Sequence, residues 1–162
     1  MTLGKTPSQT VGPYFAIGLP WDDGPFAVAE GTAGAIRISG KVLDGAGTPI
    51  PDALVETWQP RPAGFARCPT DDDGGWFVIV SPPDPVGGQA PHVAVNLLAR
   101  GLLHRVVTRI YFADLVDANA ADLVLRSVPA DRRDTLLAKR TEHGYRFDIR
   151  IQGPDETVFF DV

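Results

Sequence analysis

The sequence predicts an all-β domain: a β-sandwich of mainly antiparallel strands, with an N-terminal arm and one or two short helices. Three observations carry that expectation. Apolar residues alternate with polar ones over short runs, the period of a half-buried strand. Turn signals built from Gly, Pro and Asp separate the runs about every ten residues, the spacing of sandwich proteins. And 162 residues make a single domain, 1–162, long enough to bury roughly 70% of its unfolded surface without covalent staples.

Residues 1–35 lack strand periodicity and hold GPY, GLPW and DDGP, so they read as an arm, either ordered or a flexible lead. The first strand is IRISGKVL (36–43), with Ile36, Ile38 and Val42 on one face, Gly40 between them, and a DGAG turn (44–47) at its end. ALVETWQ (53–59) is the second. A DDDGG turn (71–75) leads into the apolar run WFVIV (76–80), and a Pro/Gly loop over 82–91 precedes HVAVNLL (92–98) and VVTRIYF (106–112). DLVDANAADLVLR (114–126) has helical spacing, and a further helical turn is expected over 129–135, opening at Pro129. LLAKR (136–140) and YRFDIRIQG (145–153) flank polar residues ending in Gly144, as in a hairpin. Within the second of these, Tyr145, Phe147, Ile149 and Ile151 alternate with Arg146, Asp148, Arg150 and Gln152. TVFFD (157–161) is expected as the last strand.

Composition narrows the chemistry. The 17 Gly and 15 Pro make about a fifth of the chain, below the level that marks low complexity. A net charge of -5 argues against nucleic acid as a partner, which would call for a basic stripe. No apolar run reaches the roughly 18 residues a membrane span needs, and the polar, turn-rich start does not resemble a signal peptide. A cytoplasmic protein is the expectation. One Cys excludes an intrachain disulfide framework and a cysteine-rich metal site.

The individual side chains read blandly when taken alone. Cys68 has no His-directed context, and DDD at 71–73 lacks the spaced ligands of a calcium loop. His92 opens a strand, where a second ligand on the same face would stand two residues on; that residue is Ala94. His104 falls in a turn and His143 at a hairpin tip. Arg100, beside Gly101, reads as a solvated cation, as do Arg132 and Arg133. Tyr14 lies in a Gly/Pro segment whose aromatics need a surface to cover them.

Five stretches, in order and spanning nearly the whole chain, resemble the intradiol ring-cleaving dioxygenases. They are TPSQTVGPYFAIGLPW (6–21), ALVETWQPRPAG (53–64), APHVAVNLLARGLL (90–103), TRIYFAD (108–114) and YRFDIRIQGPDETVFFD (145–161). The resemblance implies a sandwich fold and a chemistry in which non-haem Fe(III), held by two Tyr and two His, binds a catechol while both atoms of O₂ enter between its hydroxylated carbons. It also implies that this chain lacks the iron site. His92 is kept, but the second His position is Ala94. The AGFARC stretch has Phe65 and Ala66 where a Tyr belongs, the SPPDPVGGQ loop has no Tyr, and the position of a working Arg is Gln89.

Among the family's two-subunit members, the chain resembles the α subunit, a degenerate copy of an iron-bearing β subunit. The resemblance then implies no catalytic residue in this chain, but a shared pocket for a carboxylated catechol. Thr10, Gly12, Pro13 and Tyr14 of the arm would line that pocket above the partner's iron, and Arg100 would bring positive charge near the substrate carboxylate. The segments between Trp21 and Ile36 and between Gln59 and Trp76 are shorter than the family pattern. GKVLDGAGTPIPDALVETWQ (40–59) also resembles prealbumin-like domains, which leaves a non-enzymatic β-sandwich binding or spacer module as the alternative.

Overall fold

A computed structural model describes residues 4–162; the first three residues of the expected arm lie outside the described residues. Among the described residues nine strands carry the fold: β1 (Ile36–Leu43), β2 (Leu54–Pro60), β3 (Ala63–Pro69), β4 (Gly75–Val80), β5 (His92–Leu98), β6 (Val106–Phe112), β7 (Leu137–Thr141), β8 (Gly144–Arg146) and β9 (Ile149–Arg150). Three short helices accompany them: α1 (Tyr14–Gly18), α2 (Val116–Ala121) and α3 (Leu123–Ser127), with a 3-10 turn at Ala130–Leu136.

The pairing draws one path, β3-β2-β5-β6-β7-β8-β1-β4, with β9 on β1. Among the described residues the sheet is mixed and continuous along this path. Five ladders are antiparallel, while β1–β8, β1–β9 and β6–β7 are parallel. Alternation looks the same in either direction, so the parallel returns left no trace in the hydrophobic pattern.

The two ends of the path, β3 and β4, come back toward each other: the Phe77 N–H donates to Cys68 Sγ at 3.5 Å. The arm fills the remaining seam. The Arg67 N–H of β3 donates to Gly24 O (2.7 Å), the Ile79 N–H of β4 to Pro25 O (2.9 Å), and Ala27 N–H to Ile79 O (2.9 Å). Residues 24–27 therefore satisfy edge groups that would otherwise invite a foreign strand. Residues 24–27 of the arm are an ordered part of a nearly closed sheet.

The inward side of each strand is apolar, as the alternation predicts. Ile38 and Val42, Val78 and Val80, Val93, Val95 and Leu97, and Ile110 and Phe112 form one core. Tyr111, Leu125, Val128 and Leu136 form a smaller one beneath the helices.

Four local expectations need correcting. β3 was not foreseen, because Pro and Gly at both ends hid a strand that pairs with β2 from Leu54↔Pro69 to Pro60↔Ala63. Residues 157–161 are not a strand; Phe160 makes an isolated bridge to Val107, its N–H donating at 2.8 Å. The 114–126 helix is two helices, since Asp122 adopts an extended backbone and caps the second by accepting from the Leu125 N–H. Arg132 and Arg133 are half-buried. Their guanidinium groups donate to the carbonyls of Glu156, Val128 and Arg126.

Candidate functional site

Of the five residues expected at a shared pocket, Thr10 and Gly12 are brought against the Arg100 turn at the end of β5. There the chain turns tightly: the Leu102 N–H donates to Ala99 O at 3.1 Å and Gly101 takes φ +88. That conformation suits Gly at the third turn position, and it sets Arg100 outward at the second. The Thr10 hydroxyl oxygen accepts from Gly12 N–H (3.1 Å) and from Gly101 N–H (3.3 Å), clipping the arm onto the Arg100 turn. Pro13 then starts α1, whose Phe15 is buried. Phe15, Val11, Ala99 and Leu102 line a cleft of about 80 Å³, far below the roughly 300 Å³ at which small-molecule pockets begin.

Tyr14, the fifth residue, is 67% exposed beside this cluster in sequence, and the Arg100 side chain is 61% exposed. The cluster is thus an outward-facing ridge and does not enclose a ligand by itself.

A second constellation lies on the outer face of the sheet. Register aligns Phe65, Trp58, Ala94 and Arg109 in one row across β3, β2, β5 and β6. Trp21 of the arm stacks on Phe65 with ring centroids 6.2 Å apart, and Trp58 and Phe65 are partly exposed. Ala66 points the other way, into the core. Beside Ala94 on the same face, His92 holds its Nδ1 2.8 Å from Ala90 O. Burial pushes the His92 imidazole below its usual pKa; the Ala90 carbonyl opposes that shift and the Arg109 charge adds to it.

Gln89 is drawn into the same region. Its Oε1 accepts from Arg109 Nη1 at 2.9 Å, and Arg109 also donates to the Tyr111 hydroxyl at 3.3 Å. Tyr111 donates to Asp122 Oδ1 at 3.3 Å, and Asp122 further accepts from Ala90 N–H and Leu125 N–H, each at 2.8 Å. Tyr111 and Asp122 are fully buried, and burial pushes the Tyr111 phenol above its usual range against the lowering effect of Arg109. Tyr111 is therefore a protonated hydrogen-bond relay, not an available phenolate.

Of the positions that the resemblance compares with iron ligands, only His92 presents a donor. A single imidazole flanked by an alanine, a phenylalanine and a guanidinium does not fit a ferric ion, which calls for anionic oxygen ligands. Among the described residues no three His, Cys, Asp or Glu side chains converge. His104 and His143 are exposed turn residues, Asp71 Oδ1 accepts from the N–H groups of Asp73 and Gly75 to shape its own turn, and Cys68 is buried.

Sequence reasoning missed Arg109 and Asp122. A polar residue at 109 in an alternating strand was one available signal. The D-L-V-L stretch at 122, a cap before an apolar turn, was another.

The fold is that of the intradiol ring-cleavage dioxygenases. The dioxygenase domain of a dioxygenase carbohydrate-binding protein fusion from Streptomyces sp. SirexAA-E superposes with a TM-score of 0.59 at 22% identity, covering 93% of this chain and 99% of that one. An intradiol ring-cleavage dioxygenase from Tetranychus urticae gives 0.60 at 12% identity, covering 78% and 83%.

Sequence likeness then narrows the class, and the chain belongs to the family of protocatechuate 3,4-dioxygenase alpha chains. It is 43% identical to the alpha chain from Burkholderia cepacia, with 99% of each chain covered, and 38% identical to that from Pseudomonas putida, with 98% and 97% covered. The beta chain from Burkholderia cepacia is 30% identical over 75% of this chain and 66% of its own length. No family model matches the sequence. The alignment with the Burkholderia alpha chain runs over 195 positions against 162 residues here, so the relative carries insertions that this chain lacks.

Proposed function

We propose that this chain is the α subunit of a cytoplasmic, heteromeric protocatechuate 3,4-dioxygenase, which cleaves protocatechuate with O₂ to 3-carboxy-cis,cis-muconate. In this reading the iron resides in the β subunit, where it would bind the catecholate and make the ring reactive toward O₂. This chain supplies part of the pocket wall and the frame that holds it. The observation that carries the reading is the pairing of full-length likeness to alpha chains with an iron-ligand region built from Phe65, Ala94 and Gln89. A free-standing binding module accounts for neither.

The roles of this chain's own residues follow from the ridge. Thr10 fixes the arm to the Arg100 turn, Gly12 and Pro13 set the approach of α1, and Tyr14 and Arg100 stand outward, available to a pocket closed by the partner. Arg100 would pair with the substrate carboxylate, a charge-assisted contact worth about 1.5–3 kcal/mol.

Two results are expected. The chain purified alone carries no iron and no visible colour, while the complex co-expressed with the β subunit carries both. Ferric iron with tyrosinate charge-transfer absorption in the isolated chain would overturn the reading. In the complex, Arg100→Ala raises KM for protocatechuate about 10- to 100-fold with iron content unchanged. Unaltered steady-state kinetics would return Arg100 to the solvated surface.

A further inference from the structure

We propose that Asp52 is the positioning residue for Arg100, holding its guanidinium with the two Nη groups aimed outward at the substrate carboxylate. This rests on the reading of Arg100 given above and goes one residue deeper.

Strand register places the pair. In the antiparallel β2–β5 ladder Leu54 faces Leu98, and continuing that register two residues past the ladder sets Asp52 opposite Arg100. Both positions are tied into the fold by neighbouring hydrogen bonds. Asp52 precedes Ala53, which is fully buried and whose N–H donates to Thr70 Oγ1 at 2.9 Å. Thr70 in turn donates to Ile50 O at 2.7 Å. Arg100 occupies the tight turn closed by Ala99 and Leu102 and clipped by Thr10.

The contact is asymmetric in exposure. Arg100 Nε lies 3.0 Å from Asp52 Oδ2, with the Asp52 side chain 16% exposed and the Arg100 side chain 61% exposed. Both Asp52 oxygens are buried and neither is in hydrogen-bond alignment, so the approach at 3.0 Å is a charge contact. A buried carboxylate without hydrogen bonds is costly, and one that persists in a native fold calls for a reason. The positive charge of Arg100 answers it. Among the described residues no protein group accepts from Nη1 or Nη2, while the Arg100 side chain is 61% exposed. The forked end of a guanidinium is the geometry that binds a carboxylate through two parallel hydrogen bonds.

Two effects of Asp52 oppose each other. Its negative charge weakens the field that draws a substrate anion, while its grip removes the rotamer freedom that an exposed Arg would lose on binding. The Asp52 side chain is mostly buried and the Arg100 side chain mostly exposed, so an incoming carboxylate meets the guanidinium before it meets Asp52. Orientation therefore outweighs the loss of field, and removing the Asp52 charge weakens binding.

The test uses the co-expressed complex of both subunits, with protocatechuate and unsubstituted catechol as substrates. Asp52→Asn, isosteric and uncharged, is expected to raise KM for protocatechuate about three- to tenfold. Its kcat, its KM for catechol and its iron content should stay unchanged. Because Asp52 acts through Arg100, the Asp52→Asn, Arg100→Ala double variant should match Arg100→Ala alone. If Arg100→Ala raises KM and Asp52→Asn leaves it unchanged or lowers it, the positioning role is overturned and the Arg100 reading stands. If the two substitutions are additive, Asp52 acts by another route and the inference is likewise overturned. If Arg100→Ala itself has no effect, the Arg100 reading falls and this inference with it. Should Asp52→Asn impair assembly, Asp52→Glu keeps the charge but shifts it by one methylene. It should give the same selective rise for protocatechuate, and an equal change for both substrates would count against the proposal.

Discussion

Gly40→Ala is expected to cost on the order of 3–5 kcal/mol and to lower the melting temperature by roughly 10–15 °C, with a matching fall in soluble yield. A Cβ at this position would lie 1.7 Å from Phe147 O and 2.5 Å from its carbonyl carbon. The obstacle is backbone, so no side-chain rotamer relieves it. The segment joining β8 to β9 runs parallel alongside β1 here, with the Phe147 N–H donating to Ser39 O (2.8 Å) and the Lys41 N–H to Asp148 Oδ1 (2.9 Å). Pushing the segment away breaks these bonds and lifts Tyr145, Phe147 and Ile149 out of the main core. A domain of this size is stable by about 5–15 kcal/mol, so the loss is a large share of the total. Thermal unfolding followed by far-UV circular dichroism reads it, and an unchanged midpoint would show that the close approach yields more easily than its geometry implies.

Gly40 also shows what a sequence can and cannot convey. The alternation of IRISGKVL fixes which residues face inward, and Ile38 and Val42 are fully buried as it requires. A glycine within a strand hints at a close backbone approach, but nothing local says that the approaching segment lies more than a hundred residues away. The same limit hid the parallel ladders and the seam made by residues 24–27. Both are pairings between distant segments, and a period of two carries no information about partner or direction. β3 was lost for a different reason: its bounding Pro and Gly residues are turn signals that here mark the corners of a hairpin edge.

The site divides along the same line. The proximity of the arm to Arg100 came only from resemblance, and the Thr10 to Gly101 hydrogen bond is too long in sequence for any local pattern to announce. What the residue types did convey was a poverty of iron ligands, because Ala94 and Phe65 carry no donor in any fold. They could not convey what stands there instead. Arg109, Tyr111 and Asp122 look like an ordinary strand and an ordinary helix start until β6 and α3 are brought together.

Asp122→Ala is the second substitution with a large expected effect, again on the order of 3–5 kcal/mol, because three donors lose their acceptor at once. Asp122 is fully buried and accepts from the Ala90 N–H before β5, the Leu125 N–H in α3 and the Tyr111 hydroxyl in β6. Each buried donor left unpaired costs about 1–3 kcal/mol, and the lost helix cap accounts for about 1 kcal/mol of that total. Tyr111 would then keep only Arg109 as a partner, and Arg109 would keep Gln89. A cation would remain in a half-buried row with its carboxylate counterweight gone. Asp122→Asn separates the contributions. The amide oxygen still caps α3 and accepts one further bond, but its NH₂ group faces donors where the carboxylate had a second acceptor. Asn is therefore expected to recover about half of the loss, with the remainder measuring the charge and the second oxygen. Equal melting temperatures for the Ala and Asn variants would mean that the cap contributes nothing and the carboxylate charge everything. A melting temperature unchanged from the parent in both would mean that water or a shifted backbone replaces all three bonds. The strand ends that the resemblance associates with iron binding would then be held by packing alone, without the Gln89–Arg109–Tyr111–Asp122 chain.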